Sequence, residues 1–390
     1  MPLMTRMHEA ESQARSRRLL SLDAFRGLVI ALMVLVNSPG RPETWNILKH
    51  ATWDGCSLAD CVFPFFVVIL GMSSVLAISS ARERGVSQSA LYLAIIWRAF
   101  YLFMAGLLLN AFPHHLSDFA VRIPGVLQRI ALCYLASALL VMKTSARTQL
   151  ILAVLVLAGY WLLYRHVPGG DAIAWIGGID RAIFGASHLY RPDFDPEGLL
   201  TTLPAFASVL LGNLAGYQLK RTQNVAENLL FFTGFSLLLM FGGWVLSFTF
   251  PLNKSLWSSS YVLMTAGLSY LVYAVCYALI EGCGMRRGAY PFILMGRHAL
   301  LIYLLHVFFL KLQQMVLIRM PDGSEVSFRR FVTDTLFGAL SPEKASFGYA
   351  LIYMLLWLLF AFCSEHLSYK KSRPSLKPHL QPKNLIDDSP

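Results

Sequence analysis

Long apolar stretches separated by short polar segments run through almost the whole chain. Stretches of about 17–24 residues are long enough to cross the hydrocarbon core of a bilayer as helices. The stretches found here have these approximate bounds: 22–38, 59–80, 91–112, 123–142, 148–165, 200–218, 229–250, 261–281, 291–315 and 347–364. The pattern therefore predicts an all-α membrane protein, a polytopic bundle of about ten transmembrane helices.

Short basic segments follow every second apolar stretch. Their basic residues are Arg82 and Arg84, Lys143 and Arg147, Lys220 and Arg221, and Arg286 and Arg287. The alternate loops include 39–58, 166–199 and 316–346. Because cytoplasmic loops carry an excess of Lys and Arg, the pattern predicts that both termini are cytoplasmic. Loop 39–58 then faces the periplasm or exterior.

The predicted bundle divides the chain into three parts. Residues 1–20 form a cytoplasmic N-terminal segment, residues 21–366 the transmembrane domain, and residues 367–390 a basic, disordered cytoplasmic tail. The first apolar stretch lacks the A-x-A pattern of a signal-peptide cleavage site, so we expect it to remain as a helix. These features predict a multi-pass protein of the cell inner (plasma) membrane, in contact with the lipid bilayer.

Composition supports lipid as the solvent of most of the surface. The chain is 56% hydrophobic and only 14% charged, whereas soluble domains are about 25% charged. Lys and Arg outnumber Asp and Glu by 33 to 22, but they lie at the ends of apolar stretches. That placement is typical of membrane topology rather than of a nucleic-acid surface. We therefore expect no nucleic-acid partner.

The six cysteines show no spacing that is typical of a metal site, so no metal is expected. Cys56 and Cys61 both fall at the predicted outer end of the second apolar stretch. A disulfide is compatible with that position. Small residues at the start of a helix are the favoured interpretation of the pair.

Charged residues inside apolar stretches are the first candidates for function, because a charge within a bilayer costs several kcal/mol. The candidates for binding a cosubstrate are Arg26, Arg98, Arg129, Arg297, His298 and Gln128. Arg26, Arg98 and Arg297 fall near the predicted cytosolic ends, where guanidinium groups suit a ligand with several phosphates. The alternative is snorkelling or a structural ion pair, which Asp23 favours in the case of Arg26.

A second polar group lies in the first predicted outer loop and its flanks. His50 can take a proton from an attacking group, and Asp60 can orient and stabilise its imidazole. Asn37 can donate a hydrogen bond to a developing oxyanion, and Asp54 is a candidate for binding the acceptor. The alternative is that His50 is a polar residue at the rim of the bundle.

The loop 166–199 offers three further candidates for binding a hydroxyl-rich or cationic acceptor, which are His188, Asp195 and Glu197. The alternative is a helix start, with Asp195 as the N-cap of the sixth span and Glu197 in its first turn. Taken alone, these two acidic residues favour the cap.

Several blocks of the sequence, in the same order, resemble the heparan-α-glucosaminide N-acetyltransferase family of transmembrane acyltransferases. The blocks include KHATWDGCSLADCVFPFF, RIPGVLQRIALCYL, FDPEGLLTTLPAFASVLLGNLAG and FILMGRHALLIYLLHV. The resemblance implies a bundle of about ten or eleven helices that takes acetyl-CoA from the cytosol and acetylates a terminal glucosamine on the far side. The family's active-site histidine corresponds to His50, with Asn37 and Asp60 beside it.

The resemblance thus implies an enzyme, an acetyl-CoA-dependent N-acetyltransferase with an amino-sugar acceptor, of the bacterial type without a large lumenal N-terminal domain. His50 then acts as general base or as a transient acetyl acceptor. The segment between Asn37 and His50 differs from the glycine-rich version of the lysosomal enzyme, so the acceptor stays open. O-acetylation of a cell-envelope glycan and solute transport without acyl chemistry are the alternatives. A homodimer is compatible with the sequence.

Overall fold

The structure, a computed structural model, describes residues 19–113, 120–167 and 170–371, with side chains up to Leu367 in the last range. Most of the predicted N-terminal segment 1–20 lies outside the described residues. The same holds for the predicted tail beyond Lys371.

Helices account for most of the described chain. The α-helices are α1 (Leu20–Asn37), α2 (Leu58–Glu83), α3 (Gln88–Ala111), α4 (Val126–Lys143), α5 (Ala146–Arg165), α6 (Ala172–Phe184), α7 (Leu199–Arg221), α8 (Val225–Ser247), α9 (Ser259–Tyr277), α10 (Arg286–Arg297), α11 (Ala299–Met315), α12 (Phe328–Phe337) and α13 (Pro342–Lys371). A π-helical turn, Ala278–Gly282, extends α9, and one antiparallel hairpin pairs β1 (Leu317–Arg319) with β2 (Glu325–Ser327).

The prediction of about ten membrane spans is confirmed by these helices. Within the described residues, nine helices are long and apolar enough to cross a membrane, and the bent pair α10–α11 would be a tenth. The span predicted over 291–315 consists of two helices, since α10 and α11 meet at an angle of 68°. The break lies at His298, whose backbone N–H bonds to the carbonyls of Leu294 and Met295 and ends α10.

Close contacts of a glycine with the backbone of the neighbouring helix hold α10 against α1 and α2 against α7. A Cβ atom on Gly296 would lie 1.8 Å from the backbone oxygen of Asp23, and one on Gly212 would lie 2.1 Å from that of Val68. In lipid, helices gain little from hydrophobic association and rely on close packing between small residues. These glycines therefore set how closely α10 approaches α1 and how closely α2 approaches α7.

The loops that alternate along the sequence gather at opposite ends of the bundle. At one end Gly40 N donates to Ser346 O (3.3 Å), Ile123 N to His188 O (2.9 Å) and Gly55 N to Leu252 O (2.7 Å). At the other end Arg82 Nη2 donates to Met142 O (2.7 Å), and Lys220 pairs with Glu83 (3.7 Å). The alternation predicted from the basic segments is therefore present, and we refer to the first end as the His50 end.

Two loops at the His50 end contain structure that the hydrophobic pattern did not predict. Helix α6 lies within loop 166–199, and the β-hairpin with α12 lies within loop 316–346. Both helices are too short to span a bilayer. Helix α13 also runs to Lys371, several residues beyond the predicted end of the last span.

Candidate functional site

The loop that carries His50 is held to the bundle by backbone contacts with the loop between α8 and α9. Asp54 and Asn253 form an isolated antiparallel bridge, and Gly55 N donates to Leu252 O at 2.7 Å. Gly55 has a φ of 128°, a conformation that glycine adopts at little cost. The docking brings the α8–α9 loop, with Lys254, against His50.

The start of α2 places the carboxylate of Asp60. Ser57 is the N-cap and Asp60 the third helical residue, and the two form a capping box. Asp60 Oδ2 accepts from Ser57 N (3.1 Å), Ser57 Oγ (2.9 Å) and Ala51 N (2.9 Å), while Tyr261 Oη donates to its backbone oxygen at 2.6 Å. Asp60 is 1% exposed. Its second oxygen, Oδ1, is thus aimed out of the cap.

The second oxygen of Asp60 is hydrogen-bonded to His50. His50 Nδ1 lies 2.7 Å from Asp60 Oδ1, and the His50 side chain is 49% exposed. When Nδ1 carries the hydrogen and donates to Asp60, Nε2 has a free lone pair. Within the described residues Nε2 has no hydrogen-bond partner. The pair has the arrangement of a base held by a carboxylate, with the basic nitrogen open to an incoming molecule.

Lys254 is a third member of this site, and the sequence carried no signal for it. Its Nζ lies 3.0 Å from His50 Nδ1 and 3.4 Å from Asp60 Oδ1. Burial lowers the pKa of Lys254, although Asp60 and Glu197 oppose this change. Because Nδ1 cannot both donate to Asp60 and accept from Lys254, the ammonium is best satisfied by Asp60. We call His50, Asp60 and Lys254 the outer triad.

Asp195 and Glu197 of loop 166–199 bind an arginine instead of starting α7. Arg122 donates to Asp195 (2.6 and 2.9 Å) and to Glu197 (2.5 Å). The prediction of Asp195 as N-cap is wrong: α7 is capped by Gly198, and the carboxylate near its first turn is that of Asp180, which accepts from Leu199 N at 2.9 Å. Folding of α6 against α7 supplies Asp180 from a distant position in the sequence.

This ion pair is buried on one side. Asp195 is fully buried, whereas Arg122 keeps 23% of its side chain exposed. Burial alone would lower the pKa of Arg122, but the bonds to Asp195 and the charge of Glu197 raise it overall. The guanidinium therefore remains charged. Both residues were predicted to bind the acceptor. The Asp195 side chain has no exposed surface for it, and the Glu197 side chain is 15% exposed.

We expect Arg122→Ala to destabilise the protein by about 3 kcal/mol, because it leaves the buried Asp195 carboxylate without its partner. The measurement is thermal unfolding of detergent-purified protein followed by size-exclusion chromatography. Arg191→Ala is the matched control, since Arg191 is an exposed arginine in the neighbouring loop. Equal melting temperatures for the two variants would contradict the prediction.

Arg129 and Gln128 lie inside the bundle, and Arg129 contacts the segment that carries Asp195 and Glu197. Arg129 is 1% exposed, and its Nη2 donates to Pro196 O and Thr201 Oγ1, both at 2.5 Å. Its guanidinium lies over the Trp257 ring at 4.9 Å. The Nε and Nη1 atoms of Arg129 and the Nε2 atom of Gln128 are buried without a partner. These N–H groups are unused donors.

The predicted inner arginines each have a different partner. Arg26 bonds to Asp23 (3.0 Å) and Ser73 (2.7 Å), and Arg297 pairs with Glu365. His298 lies 3.6 Å from the same Glu365 carboxylate. Arg98 is exposed on α3 and lies over the Tyr134 ring at 4.9 Å. Carboxylates therefore already occupy two of the three guanidinium groups predicted to bind phosphate.

The remaining candidates form no hydrogen bond with the outer triad within the described residues. Asn37 is exposed at the end of α1, and its side chain has no hydrogen bond to another described residue. Asp54 accepts from Asn253 Nδ2 at 3.2 Å, and His188 Nδ1 lies 2.8 Å from Val121 O. The described residues contain no group of three or more His, Cys, Asp or Glu side chains that could hold a metal ion.

The chain is similar in sequence to known proteins of one family. A family model described as "Heparan-alpha-glucosaminide N-acetyltransferase, catalytic" matches residues 18–251, which include His50 and Asp60. Heparan-alpha-glucosaminide N-acetyltransferase of Homo sapiens is 32% identical over 362 residues, covering 75% of this chain and 53% of the human protein. The Mus musculus protein of the same name is 30% identical over 372 residues, covering 78% and 56%. The chain thus spans about half the length of these relatives.

Proposed function

Because the chain belongs to the heparan-alpha-glucosaminide N-acetyltransferase family, we propose that it is an acetyltransferase that moves acetyl groups from cytosolic acetyl-CoA to an extracytoplasmic amino sugar. The proposal places the protein in the inner (plasma) membrane, with the His50 end facing the periplasm or exterior. The single observation that carries it is the outer triad, a half-exposed histidine bonded to a buried carboxylate.

In the proposed reaction His50 Nε2 takes a proton from the acceptor amine as its nitrogen attacks the thioester carbonyl carbon. The tetrahedral intermediate then expels the CoA thiolate, which takes the proton from the His50 imidazolium and leaves as the thiol. Asp60 stabilises the imidazolium that forms on His50, since its Oδ1 lies 2.7 Å from Nδ1. A variant of the same route forms an acetyl-imidazole on His50 before the amine attacks.

The developing oxyanion needs hydrogen-bond donors. We propose Asn37 for this role, as its amide is not engaged by another described residue. Asp54, His188, Asp195 and Glu197 remain proposals for acceptor binding. Among these four, the charge of Glu197 raises the pKa of Lys254, against the larger effect of burial, which lowers it.

Acetyl-CoA carries amide carbonyls and phosphates that need donors along its length. The unused N–H groups of Arg129 and Gln128 suit a carbonyl or anionic oxygen inside the bundle, because buried donors without a partner are costly. We propose that the phosphates bind near Arg26, Arg98, Arg297 and His298. At Arg26 and Arg297 this requires phosphate oxygens to replace or join the carboxylates of Asp23 and Glu365.

The test of the function is transfer of labelled acetyl from acetyl-CoA by the purified protein, with glucosamine and N-acetylglucosamine as paired acceptors. Both sugars have hydroxyl groups, but only glucosamine has a free amine. Label on glucosamine alone supports N-acetylation, whereas label on both indicates O-acetylation. If the protein leaves acetyl-CoA intact with every amino sugar and does not bind it, the proposal fails, and solute uptake by vesicles becomes the assay.

We expect Lys254→Met to lower kcat by on the order of tenfold, with little change in KM. The Lys254 ammonium lies 3.4 Å from Asp60 Oδ1, the oxygen that holds His50, and hydrogen bonds to charged groups contribute about 1.5–3 kcal/mol, where 1.4 kcal/mol is a factor of ten. The measurement is steady-state acetyl transfer. Lys220→Met, at the opposite end of the bundle, is the matched control. A Lys254→Met enzyme with the parental kcat would remove Lys254 from the outer triad.

A further inference from the structure

Two cysteines enclose the capping box that holds Asp60, and the proposed mechanism uses neither of them. Cys56 precedes the N-cap Ser57, and Cys61 follows Asp60. In capping terms these are the N′ and N4 positions, whose side chains pack together as a hydrophobic staple at many helix starts. Here both positions of the staple carry thiols, and the two Sγ atoms lie 3.5 Å apart.

We propose that Cys56 and Cys61 are a redox-active pair that forms a disulfide across the start of α2. A disulfide has an S–S distance of about 2.05 Å, so the two sulfur atoms must approach by rotation of their side chains. Their positions allow this approach, because the Cys56 and Cys61 side chains already face each other across a single helical turn. The inference goes beyond the proposed function, since it concerns a covalent modification and not acetyl transfer.

The oxidant is a disulfide from outside the chain, such as a protein dithiol oxidase of the compartment that the His50 end faces. Cys56 is the more exposed thiol, so it attacks first, forming a mixed disulfide and releasing one thiol of the oxidant. The buried Cys61 then attacks the Cys56 sulfur and releases the second thiol. The two cysteines lose two hydrogen atoms and two electrons, which the oxidant's disulfide takes up.

The low reactivity of the Cys56 thiol at rest decides the choice of oxidant in the experiment. The hydrogen bond with Cys61, together with burial, raises the pKa of the Cys56 thiol well above its ordinary value. Because the thiolate is the attacking form, exchange with a weak oxidant is slow. The test therefore uses diamide as well as oxidised glutathione, and it compares extents after long incubation.

The disulfide would act on the proposed site by restraining the segment that places Asp60. Ser57 and Asp60 lie between the two cysteines, and Asp60 also holds Ala51 N and His50. A covalent link over this short segment removes conformations of the unfolded chain and prevents fraying of the first turn of α2. The oxidised protein should then unfold at a higher temperature than the reduced protein.

The experiment treats the full-length protein in detergent with diamide or with a reducing phosphine, then alkylates it under denaturing conditions for peptide mass spectrometry. We expect a peptide pair lighter by two hydrogen atoms that contains Cys56 and Cys61, while Cys276, Cys283 and Cys363 are alkylated in both samples. We also expect oxidation to raise the melting temperature by about 2–5 °C. Neither readout depends on acetyl transfer.

Matched variants separate this bond from general effects of oxidation. In Cys56→Ser and Cys61→Ser the rise in melting temperature should disappear, and in Cys283→Ser it should persist. The proposal is overturned if Cys56 and Cys61 are both alkylated after diamide treatment. It is also overturned if the rise in melting temperature survives in the Cys56→Ser variant.

Discussion

We expect His50→Ala to lower kcat for acetyl transfer by about a thousandfold, the usual contribution of a positioned general base or nucleophile. The variant removes the imidazole that Asp60 Oδ1 holds at 2.7 Å, with Nε2 open to an incoming molecule. The measurement is steady-state transfer from labelled acetyl-CoA to an amino sugar, together with binding of acetyl-CoA. We expect that binding to be unchanged, because the donors proposed to hold acetyl-CoA are on other segments.

The matched control for this loss is His166→Ala. His166 is an exposed histidine at the end of α5, where its Nδ1 bonds to Leu162 O at 2.9 Å and has no part in the outer triad. His166→Ala should keep parental kcat. Activity of His50→Ala within threefold of the parent would refute both proposed roles of His50. Incubation of the parent with labelled acetyl-CoA and no acceptor separates these roles, since only the covalent route labels the protein.

The second large effect is expected at the crossing of α2 and α7. In Gly212→Ala the new Cβ would lie 2.1 Å from the backbone oxygen of Val68, which cannot move without its helix. The two helices must separate along a densely packed contact, and we expect a loss of about 3 kcal/mol of stability. The measurement is the melting temperature and the yield of monodisperse protein in detergent.

Gly159→Ala is the control for this crossing. It makes the same change within the helix α5, but nothing lies within 4 Å of the added Cβ atom. Because alanine is the better helix former, this variant should be as stable as the parent or slightly more stable. If Gly212→Ala and Gly159→Ala melt at the same temperature, close packing at Gly212 is not what holds α2 and α7 together.

The sequence was most informative about the membrane-spanning helices, because lipid dictates their length. Lipid requires continuous apolar helices, so most of the apolar stretches predicted their spans to within a few residues. The same rule failed at His298, where α10 and α11 diverge by 68°. Hydropathy indicates that residues 291–315 prefer lipid, but the close contact of Gly296 with α1 is a property of the packed bundle.

The sequence predicted the site residues that are close together in the chain and missed those that only the fold brings together. His50 and Asp60 lie ten residues apart on either side of one helix start, so local sequence was enough to pair them. Lys254 joins them from about two hundred residues away, through the docking of two loops. Arg122 and Asp195 meet in the same manner across the intervening α4, α5 and α6. Such long-range contacts leave no periodic signal in the sequence.

By itself, then, the sequence determined that this protein spans a membrane many times, which ends of its helices share a side, and that it resembles a family of acetyltransferases. Each of these follows from local composition or from blocks of residues read in order. Only the tertiary structure decided which carboxylate accepts from the first N–H group of α7, which cation joins His50 and Asp60, and which arginines are already paired. Those choices depend on distances between segments far apart in the chain, and packing of the folded helices alone sets such distances.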